Sequence, residues 1–146
     1  MVSLSHQVTE RSTHMIAYRI QDRKRGVEYL LDPETQYSWP MDYDESKIRH
    51  GVSGCETITE LAAYWATHAV GATDPVLVRV EGPQSEDCPL DWEFGEVLVL
   101  PETAEVIEDT CVWALISYLV DLYAEDYTLT YYQLVEKAEE WLENNR

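Results

Sequence analysis

The sequence predicts a single α+β domain: a small mixed or antiparallel split β-sheet with one internal helix and two C-terminal helices. Three observations carry that expectation. Strand-like runs flank one helix-period segment in the first two thirds of the chain; two helix-length segments fill the last third; and 146 residues are enough for one core but not for two. The content is 45% hydrophobic, with five Trp and ten Tyr against one Phe, so there is ample material to bury despite a high charge.

Residues 1–14 are polar and aperiodic and read as a loose N-terminal arm or an extra strand, leaving residues 15–146 as the domain. From Ile16, the runs IAYRIQD and VEYLL flank a charged turn, DRKRG, that ends at Gly26, as in a β-hairpin. Residues 32–50 carry two prolines and several aromatic residues with neither period, which predicts a long ordered loop. GVSGC reads as a loop leading into a helix over residues 57–71, where Thr57 and Glu60 have capping-box spacing and Leu61, Trp65 and Ala69 recur every four residues. Asp74 and Pro75 mark a turn before the strand VLVRVEG. A strand pair then follows, GEVLVL and AEVIE, around a turn at Pro101 and Glu102. The segment from Asp109 is apolar nearly all round, as a helix buried in the domain or in a partner would be. Thr130 and Gln133 cap the last helix, whose Leu134, Ala138, Trp141 and Leu142 form one stripe beneath an acidic face.

With 28 Asp and Glu against 10 Lys and Arg the formal net charge is -18, which disfavours direct contact with nucleic acid or an anionic membrane. The acidity fits a solubility device, adaptation to high salt, or a surface that meets a basic protein by imitating nucleic acid. Three scattered cysteines indicate neither a disulfide framework nor a zinc module. With no signal-like or membrane-length apolar run, a cytoplasmic location is expected.

The four histidines are dispersed, and Asp42, Asp44 and Glu45 lack the glycine and terminal glutamate of an EF-hand loop, so no metal site is expected. G-x-S-x-G, P-loop and G-x-G-x-x-G motifs are absent. Three residues stand out instead. Arg19 shares a strand face with Ala17 and Gln21 and could grip a pyrophosphate with both ends of its guanidinium. Ser53 lies in a glycine-bearing segment before a helix, where backbone N–H groups could receive an anion, although such a segment is also simply a good loop. Glu96 follows Gly95 at a strand start, placed to act as a base or an electrostatic stabiliser, or merely to meet water.

The order of these pieces, AYRIQD around Arg19, GVSGCETITELAAYW around Ser53, VLVRVEG, and GEVLVLPETAEVIE with Glu96, resembles that of small ADP-ribosyltransferase-like domains of the arginine, serine, glutamate class. The resemblance covers roughly residues 15 to 108. It implies NAD+ in the cleft of a split sheet, with ADP-ribose passed to an acceptor and nicotinamide released. Arg19 would then hold the phosphates, Ser53 would support the ribose or nicotinamide side, and the catalytic Glu96 would stabilise an oxocarbenium-like transition state. The family's Ser-Thr-Ser is here Ser53, Gly54, Cys55, and the position two before Glu96 is Phe94. These departures imply NAD hydrolysis, a different acceptor, or a degenerate domain kept as a binding scaffold.

A second class stays open: an acidic binding protein, an inhibitor or accessory factor of the phage or immunity type, whose carboxylates engage a basic partner. The charge, the acidic run from Glu136 to Glu143 and the nearby Tyr123, Tyr127, Tyr131 and Tyr132 support it, although those tyrosines would equally close the junction of two helices. A homodimer through the apolar helix from Cys111 to Tyr123 is a third arrangement the sequence allows.

Overall fold

The structure, a computed structural model, describes residues 14–40, 42–68 and 73–146. The expected N-terminal arm therefore lies outside the described residues, apart from His14, which opens the first strand. The fold is α+β. Strands β1 (His14–Asp22), β4 (Val52–Cys55), β5 (Pro75–Pro83), β6 (Glu96–Val99) and β7 (Thr103–Ile107) form one five-stranded sheet in the order β6-β4-β1-β5-β7, every neighbour antiparallel. A separate two-stranded ribbon joins β2 (Tyr37–Ser38) to β3 (Arg49–His50). The helices are a single turn, α1 (Glu28–Leu31), and three longer ones, α2 (Ile58–His68), α3 (Thr110–Glu125) and α4 (Tyr131–Asn145).

Strand alternation sends the two faces of the sheet into two cores. Leu77 and Cys55, with Tyr18 and Ile20, meet the layer of α2, α3 and α4, where Leu115, Leu119 and Leu134 are fully buried. Burial of each such leucine is worth about 2 kcal/mol. Ala17, Val52, Val78, Val80 and Val99 point the other way into a smaller core, closed by Leu30 of α1. In α2, Ala62, Ala63 and Ala66 are buried, and these small side chains allow the other two helices to come close.

Four local expectations change. VEYLL does not return as a strand beside β1, although past the Tyr18↔Cys55 rung one edge of β1 is left unpaired. Gly26, at φ 71, redirects the chain and Glu28–Leu31 coils instead. The long loop over residues 32–50 contains the β2–β3 ribbon, pinned where Gln36 donates to the Leu30 and Pro101 carbonyls. GVSGC is strand rather than loop, since its partner β6 runs alongside it from Val52↔Val99 to Cys55↔Glu96.

The fourth change concerns β6 and β7, which do not form a hairpin. They are consecutive stretches of one bent strand that runs antiparallel to β5 and its continuation: Glu81 faces Thr103, and Gln84 faces Val99. One side advances three residues while the other advances four, a β-bulge at Leu100–Glu102 that holds Pro101, a residue with no N–H to donate. Leu100 N donates to the Pro83 carbonyl (2.8 Å) and Glu102 N to the Glu81 carbonyl (2.8 Å). Gly82 is required there, because a Cβ would collide with the Leu100 carbonyl oxygen. β6 thus pairs with β4 on one side and reaches the end of β5 on the other, and the sheet curls back on itself around the smaller core.

The helix from Thr110 buries only one face. Val112, Leu115, Ile116 and Leu119 turn inward, while Ser117, Val120 and Asp121 are exposed, so the domain itself covers the inward face. Of the four tyrosines near the helix junction, Tyr131 is buried and Tyr123 packs on the main core, whereas Tyr127 and Tyr132 are exposed. Among the described residues no helix is long and apolar enough to cross a membrane.

Candidate functional site

β1 pairs with β5 over its whole length but with β4 at one rung only, Tyr18↔Cys55. Immediately past that rung the two strands part. The Arg19 side chain bridges the gap, with Nη1 donating to the Ser53 carbonyl oxygen (2.8 Å) and Nε donating to Gln21 Oε1 (3.1 Å). Gln21 in turn donates to the Gly26 carbonyl (3.0 Å), which ties the guanidinium to the turn that carries Arg25. The split opens onto a cavity of about 830 Å³ between the sheet, the Arg23–Arg25 turn and the β2–β3 ribbon. A smaller hollow of about 130 Å³ adjoins it and shares Arg19, Ser53, Tyr64 and Glu96.

Glu96 is set by the turn before it. Gly95, at φ 80, adopts a left-handed conformation that a side chain would strain, and the turn closes where Glu96 N donates to the Asp91 carbonyl (3.2 Å) and Asp91 N to Glu96 Oε1 (2.8 Å). From β3, Arg49 Nη1 donates to both Glu96 oxygens (2.9 and 3.0 Å), and Ser53 Oγ donates to Oε2 (2.5 Å). Each carboxylate oxygen therefore accepts two hydrogen bonds, within an ion pair whose side chains are 10% and 4% exposed. Tyr64 of α2 donates to Asp91 Oδ2 (2.7 Å), and burial followed by that bond pushes its hydroxyl well above the ordinary phenol range.

For so acidic a chain the cavity has many cations in its lining, Arg19, Arg25, Lys47 and Arg49 against the carboxylates Asp42, Asp91 and Glu96. Lys47 is paired with Asp42 (2.7 Å) and Arg49 with Glu96, but among the described residues Arg19 and Arg25 have no carboxylate within 4.0 Å. Burial first and the Arg25 guanidinium second lower Arg19 to about 10, against the pull of Glu96. Four aromatic side chains, Tyr29, Tyr37, Trp39 and Tyr43, stand exposed around the mouth. Tyr43 is held at φ 55, the only positive φ at a non-glycine among the described residues.

The three residues singled out in the sequence thus meet at one cavity. Ser53 arrives differently from the expectation: it sits inside β4, well before α2, and contributes its hydroxyl rather than a loop of backbone N–H groups. Arg49, Tyr64 and Asp91 went unrecognised, and Arg25 read as part of a solvated turn. One signal for Arg49 was present: it and Lys47 are the only Lys or Arg between Arg25 and Arg79. Comparison with family models, with curated proteins and with solved structures finds no match to this chain.

Proposed function

We propose that the cavity is a nucleotide-binding pocket of ADP-ribosyltransferase-like type, with NAD+ as the ligand to try first. The observation that carries this reading is the pair Arg19 and Arg25, left without a carboxylate partner among the described residues in a chain with 28 acidic side chains. Guanidiniums kept free in such a setting suit phosphate, and a rim of exposed aromatic rings suits a base that stacks. As it stands the site favours binding over turnover. Transfer of ADP-ribose needs a carboxylate beside the developing positive charge, and Glu96 would have to exchange its bonds to Arg49 and Ser53 for ribose hydroxyls. Thermal unfolding with NAD+ tests the reading: saturation at about 100 times Kd stabilises by about 2.7 kcal/mol. Arg19→Ala should weaken binding about 10- to 100-fold, as loss of a charged hydrogen bond does. Any nicotinamide release should vanish in Glu96→Gln. No change in melting temperature at millimolar NAD+ would sink the proposal.

A second reading rests on a different surface. Trp92 and Tyr132 are both exposed, with Tyr132 Oη 3.5 Å from the carbonyl of Glu93, the residue after Trp92, and Tyr132 opens the helix that carries the exposed Glu136, Glu139, Glu140 and Glu143. Aromatic anchors beside carboxylates suit a basic protein partner, whose affinity would fall steeply with salt. All three cysteines are free, which suits the reducing cytoplasm as the place for either role.

A further inference from the structure

Arg49 is bound to Glu96 through Nη1 alone. Among the described residues its buried Nε has no hydrogen-bond partner, and neither has its Nη2. A buried N–H left without an acceptor is costly, so structures rarely leave one without a reason. The Nε and Nη2 edge of a guanidinium is also the one that matches two oxygens of a phosphate or carboxylate at once. Glu96, fixed in turn by Ser53 Oγ and Asp91 N, holds Nη1 and leaves that edge unspent on a residue lining the cavity. Arg19 is similar: Nε and Nη1 are used within the protein, while Nη2 has no partner among the described residues.

We infer that Arg49 is a ligand-binding residue, that Glu96 is the positioning residue which orients it, and that the cavity recognises a diphosphate. Three guanidiniums, those of Arg19, Arg25 and Arg49, line one cavity, and a diphosphate spreads its oxygens over two centres that separate guanidiniums can engage. The inference rests on the nucleotide reading for the rest of the ligand, but the receptor chemistry is the same for inorganic pyrophosphate.

Titration calorimetry with inorganic pyrophosphate, inorganic phosphate and adenosine diphosphate tests it. Wild-type protein should bind pyrophosphate at least about 10-fold more tightly than phosphate. Arg49→Lys keeps the charge but cannot hold Glu96 and a second pair of oxygens together, so the preference should fall to near unity, with pyrophosphate weakened about 10- to 100-fold. Glu96→Gln should reduce the preference in the same direction. If Arg49→Lys does not fold by circular dichroism, Ser53→Ala, which removes one of the four bonds to Glu96, should show a smaller loss of the same sign. A folded Arg49→Lys that keeps the wild-type preference overturns the inference, as does wild-type protein that binds the two anions equally. Adenosine diphosphate binding without pyrophosphate binding overturns it too, yet leaves the nucleotide pocket intact. Pyrophosphate binding that adenosine adds nothing to supports the receptor and removes the nucleotide.

Discussion

Cys55 is buried between the sheet and α2, and burial first, with the carboxylates of Glu60 and Glu96 adding, pushes its thiol up to about 12. The neutral form is the one the fold favours. Its stabilising contribution is therefore complete below about 9 and is lost as pH rises through about 12, so Cys55→Ala should flatten the alkaline fall in stability. In a thiol-reagent assay of the native protein at pH 8, exposed Cys88 should react promptly and Cys55 only on unfolding. Single residues were legible in the sequence wherever local alternation fixes their direction. Arg19 was one, since its face of β1 follows from period two. Arg49 was not, because its direction depends on a two-residue strand paired across the loop, and nothing in KIRHGV encodes that pairing. The engagement of Glu96 was equally hidden, since its four hydrogen bonds come from three residues, Arg49, Ser53 and Asp91, on separate stretches of chain.

Among the elements, the two C-terminal helices were the most readable, because their start signals are local. Thr130 accepts from Gln133 N (3.1 Å) and the Gln133 side chain accepts from Thr130 N (2.9 Å), the reciprocal pair that the spacing announces. Asp109 accepts from Cys111 N and Val112 N at the start of α3. Urea denaturation should show Thr130→Ala costing about 1 kcal/mol, and Asp109→Ala about 1–2 kcal/mol, as loss of an N-cap does. The strands were less readable. VEYLL has strand composition but coils after Gly26 rather than joining the edge of β1 left open past Tyr18, and Pro101 reads as a hairpin turn when it marks a bulge in a strand that continues. Both errors share a cause: composition describes what a segment tolerates, and its surroundings decide what it becomes.

For the whole molecule, the α+β class followed from periodicity and order alone, whereas the curl of the sheet and the position of the cavity depend on pairings between distant segments. The charge acts at this scale as well. Ion pairs among the described residues use up few of the 28 carboxylates, so the net charge of -18 opposes the compact state through mutual repulsion. Raising sodium chloride from low ionic strength to about 1 M, where the screening length is about 3 Å, should raise the melting temperature by a few degrees. A fall would show that the cation pairs, not the repulsion, dominate.

The lone rung between β1 and β4 makes the middle of the sheet a seam, fastened by one backbone pairing and one side chain. Hydrogen exchange should therefore reach the amides along this seam before those of the helical layer. The cavity straddles the seam, with Arg19 on one bank and Ser53 and Arg49 on the other. A ligand bound across both banks would act as a rivet, to be read as slower exchange along the seam with no change of shape.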